Sequence, residues 1–332
     1  MNLAPKINSQ KPAEVVFVIS QPRAGSTLLQ TILSGHPQVT APGETWLMLP
    51  LVHSLCGARR DMKAPYDGFL AEHAVNLFAQ NHLQGGMSDL QSEIGLAASR
   101  IFASAREKAG ADVLVDKTPR YYWIIDDLLR MVPNSRVVLL VRNPLAVLSS
   151  IIQTWSRSTL APHRADLLEA PARLANAMSY GDDRIHTVHY EQLVADPEPV
   201  IKNLQEAIGL NVVDGLSNYG EVDQRSFGDP IGIHSDTSTN QGSLEKWVQS
   251  AAQSATMWRT LSDYRQILGD DLLARLGYDP RTIDDKLSDV QPFGTSLAPS
   301  MQSQLTRMEP VRSIARVRKA AAKAVSSVSR AA

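Results

Sequence analysis

The sequence predicts an α/β fold: a doubly wound, mostly parallel five-stranded sheet with helices on both faces, plus a helical insertion. Three observations carry that prediction. Five short apolar runs each precede a segment of helical composition, the alternation that builds parallel sheets. Several of these runs, 15–19 and 135–141 above all, show no polar alternation, as strands covered on both faces require. Four of the five strand ends carry a polar or cationic cluster, so one edge, at the carboxyl ends of the strands, is the expected ligand edge.

Composition narrows the function classes. The 332 residues suffice for one large α/β domain or two smaller ones, and 43% hydrophobic with 20% charged residues is ordinary for a globular chain. The single cysteine, Cys56, excludes an intrachain disulfide framework and a cysteine-based zinc cluster. No apolar run approaches the roughly 18 to 20 residues of a membrane span, and the N-terminus lacks a signal-peptide core, so a cytoplasmic protein is expected. The net charge of −1 hides an asymmetry: residues 301–332 hold seven basic residues against Glu309, a balance of +6 that leaves −7 for the rest. The expected organisation is a disordered lead-in at 1–13, one α/β domain at 14–280, and a linker with a basic tail at 281–332. In that tail Val311, Ile314, Val317, Ala321 and Val325 fall roughly on one helical face among arginines and lysines. A conditional helix with weak affinity for an anionic membrane or an acidic protein is one expectation, a solvated terminus the other. No nucleic-acid partner and no metal are expected.

Taken in order, residues 14–33 read as strand, loop and helix. Pro22 and Gly25 break the first strand, and Ser26-Thr27 opens a helix in which Leu28, Leu29, Ile32 and Leu33 have helical spacing. The unpaired N–H groups of that helix start form a site for phosphate or sulfate. Residues 38–41 make a short second strand, followed by Pro42-Gly-Glu-Thr-Trp-Leu, which presents Glu44 among apolar neighbours. Read alone, Glu44 serves equally as a helix-capping or surface residue. Helices are expected at 53–60, 66–80 and 88–108, a helical insertion spanning 51–110 of the kind that in an α/β enzyme forms part of the substrate wall. The third strand, 112–117, delivers Asp116 and Lys117 to the ligand edge. A helix at 121–131 leads to the fourth strand, 135–141, which ends in Arg142-Asn-Pro. Asn143 is a good N-cap and Pro144 a good first helical residue, so Arg142 on the strand tip and Ser150 two turns down the helix are able to converge on one anion. A purely structural arginine capping the strand end is the alternative. A helix at 167–178, a fifth strand at 184–189 ending in Tyr190-Glu191, and a helix at 198–210 follow. His186 and His189, three apart on a strand, face opposite sides and do not share a metal. The stretch 218–243, rich in Gly, Ser, Asp and Thr, reads as a long functional or disordered loop that delivers Ser243 to Trp247. Helical segments run from there to 270.

The first loop resembles a P-loop with one departure. Against G-x-x-x-x-G-K-[ST], Gly25 and Thr27 match, but Ser26 replaces the lysine and Ser20 the first glycine. Pro22-Arg-Ala-Gly-Ser-Thr27 resembles instead the phosphosulfate-binding loop of sulfotransferases that use 3′-phosphoadenosine 5′-phosphosulfate (PAPS), with Arg23 as the cation. Together with Pro42-Gly-Glu44, Asp116-Lys-Thr-Pro119, Arg142-Asn-Pro, Ser150, Tyr190-Glu-Gln-Leu and Ser243 to Trp247, it makes residues 14–280 resemble that P-loop NTPase-like family, closest to the branch containing the tyrosylprotein enzymes. The resemblance implies a sulfonate transfer from PAPS, as donor substrate, to a hydroxyl acceptor of unknown class. It implies that Arg23, Ala24, Gly25, Ser26 and Thr27 hold the 5′-phosphosulfate, Arg142 and Ser150 the 3′-phosphate, and that Tyr190 lies against the adenine. Ser243 and Lys246 would close over the nucleotide, with Lys117 and Arg23 as catalytic cations and Glu44 as the base. Ala24 and Ser26 depart from the family's usual Ser and Thr. A P-loop small-molecule kinase, which calls for lysine at 26, and a non-catalytic nucleotide-binding module are the alternatives.

Overall fold

The computed structural model describes residues 13–53, 55, 68–155, 159–218, 220, 241–292 and 300–306. Its centre is a five-stranded, fully parallel sheet in the order β2-β3-β1-β4-β5. The strands are β1 (Val15–Ser20), β2 (Val39–Gly43), β3 (Val113–Lys117), β4 (Ser135–Val141) and β5 (Ile185–His189). All five lie where the sequence predicts them, within two residues at each end.

The pleat explains why these runs are apolar throughout. Val15, Phe17 and Ile19 face one layer of helices, while Val16 and Val18 face the other. The first layer holds α2 (Met48–His53), α4 (Met87–Ala109), α5 (Ile125–Met131) and α8 (Ala170–Met178); the second holds α1 (Ser26–Ser34), α9 (Tyr190–Ala195) and α10 (Pro197–Ala207). In the first layer Phe17 meets Phe102 and Tyr121 edge-on, with ring centroids 5.9 and 5.8 Å apart. Gly95 lets α4 cross the end of α5 at close range, because a Cβ there would come within 1.9 Å of the Met131 carbonyl oxygen.

A third apolar cluster lies beside the sheet. It joins α6 (Pro144–Thr154), α11 (Lys246–Gln253), α12 (Ala255–Arg275), α13 (Pro280–Asp289) and α14 (Met301–Thr306). The residues just past 280 therefore add to the core: Ile283, Leu287, Met301 and Leu305 are all buried in it. Of the basic tail only Met301–Thr306 is described, as a helix; the rest lies outside the described residues.

Several helix boundaries differ from expectation for local reasons. The turn after β2 starts a helix at once, Met48–His53, instead of at His53, and residues 54 and 56–60 lie outside the described residues. The insertion continues as α3 (Gly68–His82) and α4. The helix expected at 121–131 is split: Pro119–Trp123 is a 3₁₀ turn, pinned by Tyr121 and Tyr122, before α5 begins. The helix expected at 167–178 is divided between α7 (Arg164–Leu168) and α8, with Pro171 in the first turn of the latter. Residues 219 and 221–240 of the long loop lie outside the described residues.

Candidate active site

The register places the site. β1 pairs Val18 with Lys117, and β2 pairs Gly43 with Asp116, so the loops after β1, β2 and β3 leave one carboxyl edge side by side. Two groups of side chains form there.

The first lies between the loop after β1, the start of α6 and the segment before α11. Gly25 caps α1 with a left-handed backbone (φ 97°), and the ring of Tyr190 lies so close that a Cβ on residue 25 would come within 2.4 Å of it. Tyr190 in turn carries the Arg142 guanidinium 4.2 Å above its ring centre. Arg142 donates from Nη1 to the Arg23 carbonyl and from Nη2 to the Ser243 carbonyl, both at 3.2 Å. The Tyr190 and Ser243 hydroxyls are 2.8 Å apart. Arg23 has a left-handed backbone itself (φ 72°), and its Nε reaches Ser150 Oγ at 3.4 Å. The strand end is braced from behind: Glu191 accepts from the Asn143 N–H (2.9 Å) and from the Tyr278 hydroxyl (2.8 Å), while Asn143 caps α6 through the Leu145 N–H. Burial, then the charge of Glu191, pushes the Tyr278 phenol well above its usual range, so it stays a donor.

This group has the chemistry of an anion site. Arg142 uses two of its five N–H bonds, and among the described residues its buried Nε has no acceptor. Ser26 and Thr27 open the first turn of α1 beside it. Ala24 departs from that picture: it is fully buried against the third apolar cluster, so its side chain packs and only its backbone is left to bind. Lys246 is exposed on the first turn of α11.

The second group centres on Glu44. Its carboxylate accepts from Lys117 Nζ and from the indole Nε1 of Trp46, each at 3.0 Å; the Lys117 and Glu44 side chains are only 1% and 10% exposed. Glu44 is thus paired and largely buried, and among the described residues its carboxylate makes no helix-cap contact. Trp46 is held in a left-handed conformation (φ 57°), and the turn is fixed by Asp116. That buried carboxylate accepts from the hydroxyls of Thr45 (2.5 Å), Thr118 (2.8 Å) and Tyr121 (2.9 Å). Burial nevertheless raises the Asp116 pKa above the usual carboxylate value.

Four side chains that sequence reasoning did not single out complete the surroundings. Arg120 lies over the Trp46 ring (5.8 Å) and forms a two-pronged pair with Asp166. Trp155 lies beneath the Arg23 guanidinium (5.5 Å) and stacks on His163 (5.3 Å, 11°). Arg120 sits in the quoted Asp116–Pro119 motif's next position, a signal that was available. Asp166 and Trp155 carried none, because their partners Arg120 and Arg23 come from separate segments, and His163 joins them only through Trp155 and Asp166.

Comparisons with known proteins bear on the family and the fold. Residues 15–214 match the model described as the sulfotransferase family, more than half of the chain. Nodulation protein NoeE of Sinorhizobium fredii is 30% identical over 296 residues, covering 80% of this chain and 66% of NoeE, just under two thirds of its length. Protein-tyrosine sulfotransferase 2 of Gallus gallus is 26% identical over 282 residues, covering 81% and 71%. The solved sulfotransferase domain from the Synechococcus PCC 7002 olefin synthase superposes with a TM-score of 0.50 at 25% identity, covering 74% of this chain and 91% of that one. The matched family model over more than half of the chain, together with the parallel sheet and its glycine-started helix, leads to one conclusion: the chain belongs to the sulfotransferase family.

Proposed function

We propose that the chain transfers the sulfonate of PAPS to a hydroxyl acceptor by in-line displacement. The observation that carries this reading is the buried Glu44–Lys117 pair at the same sheet edge as the Arg23 loop. A carboxylate so placed takes the proton of an acceptor hydroxyl as its oxygen attacks sulfur. The sulfur–oxygen bond to the nucleotide breaks, and 3′-phosphoadenosine 5′-phosphate leaves. Charge builds on the leaving phosphate and on the transferring sulfonate, where Lys117 and Arg23 offer compensation. The first-turn N–H groups of Gly25, Ser26 and Thr27 fit the 5′-phosphosulfate, and Arg142 with Ser150 fits the 3′-phosphate. Tyr190 and Ser243 line the nucleotide side of that cradle, and Lys246 stands ready to reach it from the first turn of α11. Ser26 in place of the Walker lysine argues against ATP as donor.

The direct test is transfer from radiolabelled PAPS across a panel of sugar, phenol, lipid and peptide hydroxyls. Glu44→Gln should then lower turnover of a working acceptor roughly a hundredfold or more. It should leave binding of 3′-phosphoadenosine 5′-phosphate nearly intact by calorimetry. Parent-like turnover in that variant would make Glu44 structural.

A further inference from the structure

Asp166 stands where two series of contacts meet, one ending on the proposed base and the other on the donor loop. Its carboxylate, 2% exposed, accepts from Arg120 Nε (2.9 Å) and Nη2 (2.7 Å) and from the Tyr122 hydroxyl (2.8 Å). Arg120 then covers Trp46, whose Nε1 donates to Glu44. In the other direction His163 Nδ1 lies 3.7 Å from the same carboxylate. His163 stacks on Trp155, and Trp155 supports Arg23. The main chain adds a third tie, because Gln21 Nε2, two residues before Arg23, donates to the Asp166 carbonyl at 2.9 Å.

The physical content of this arrangement is orientation. Arg120 is 35% exposed and would otherwise sample many rotamers; a two-pronged carboxylate contact fixes its plane, and with it the indole that it covers. Arg120 and Tyr122 reach Asp166 from the 3₁₀ turn, Gln21 from the loop after β1 and His163 from the turn that leads into α7, so one short helix, α7, holds both halves of the site. We propose that Asp166 is a positioning residue that keeps Glu44 and Arg23 in register across the reacting sulfonate, a role that rests on Glu44 being the base.

The charges around Glu44 make the idea testable. Lys117 faces it from β3 and Arg120 from the 3₁₀ turn; Asp116 lies one residue before Lys117, and Asp166 balances Arg120. Asp166→Asn keeps an acceptor for Tyr122 and removes that balance, leaving a bare cation on Arg120 near Glu44. Turnover should fall roughly ten- to hundredfold, the scale of a misplaced catalytic group, with acceptor KM and nucleotide affinity little changed. The acidic limb of the kcat–pH profile should move to lower pH by roughly half a unit or more, because an added cation favours the ionised base. In Asp166→Asn/Arg120→Met the limb should return to the parent position. A limb that stays at the parent position in the single variant, or that the second substitution fails to restore, overturns the proposal. Should Asp166→Asn not fold, Trp46→Phe carries the test: losing the indole N–H moves the limb to higher pH, and an unmoved limb overturns the proposal. Glu44→Gln separates the two ideas, since it abolishes the limb only where Glu44 is the base.

Discussion

At the scale of single residues, the proposed anion site rests chiefly on one side chain. Arg142 stacks on Tyr190 and holds the carbonyls of Arg23 and Ser243, whereas Ser150 offers one neutral hydroxyl. A charge-assisted arginine–phosphate contact contributes about 1.5–3 kcal/mol, against about 0.5–1.5 for a hydroxyl. Arg142→Ala is therefore expected to weaken 3′-phosphoadenosine 5′-phosphate binding more than Ser150→Ala, and equal losses by calorimetry would count against the assignment. Asp166 contributes to acid stability. Burial works to raise its pKa, but His163, Arg120 and Tyr122 outweigh that and hold it down at about 2, against 3.8 for a free carboxyl. A depressed pKa gives stability that is fully present above the unfolded value and lost as pH falls through the folded one. The window is therefore about pH 4 to 2, and the amount on the order of 2 kcal/mol. Urea midpoints of the parent and Asp166→Asn should converge over that window; a constant gap would show that the carboxylate is not what titrates.

At the scale of elements, the start of α1 is the most constrained junction. Its cap needs a left-handed backbone, and the space beside it is filled by Tyr190. Gly25→Ala meets both obstacles: about 1 kcal/mol or more of backbone strain and a clash that must push the Tyr190 ring away from its place under Arg142. Nucleotide binding should fall at least tenfold while the melting temperature drops by only a few degrees. Asn143 caps α6 directly after Arg142, and Asn143→Ala should cost about 1 kcal/mol by urea unfolding. The Asn143 N–H, next to Arg142, is also held by Glu191, so part of that loss should appear as weaker nucleotide binding.

At the scale of the whole molecule, the third apolar cluster ties the site to the far end of the chain. Leu145, Ala146, Leu148 and Ile151 of α6 share it with Ile283, Leu287, Met301 and Leu305. Burial of a large aliphatic side chain contributes about 1.5–3 kcal/mol, so four of them rival the net stability of a typical domain. A chain ended before Pro280 should be insoluble or melt far below the parent. Ending the chain after Thr306 removes the basic residues of the tail, keeps all four contacts, and should leave the melting temperature within a few degrees. A shorter chain that melts like the parent would show that this cluster is dispensable. Cosedimentation of the full chain and the 306-residue chain with anionic vesicles at low salt tests the tail: only the full chain is expected to pellet if it binds lipid.

The sheet, its strand ends and the family were legible in the linear chain because each rests on local pattern. Uninterrupted β-branched runs mark strands buried on two faces, Pro22 and Gly25 mark the turn, and Asn143-Pro144 marks a helix start. The segmentation of helices at 119–131 and 164–178 was not legible, because buried tyrosines and aspartates there outweigh helical propensity. The part that 281–292 and 301–306 play in the core was hidden too, since Ile283, Leu287, Met301 and Leu305 acquire meaning only against α6 and α12. Tertiary structure alone decided that Glu44 pairs with Lys117, 73 positions away, and that Asp166 joins Arg120, 46 positions away. A buried charge must find its partner in space, and nothing in local sequence says from which strand or loop that partner will come.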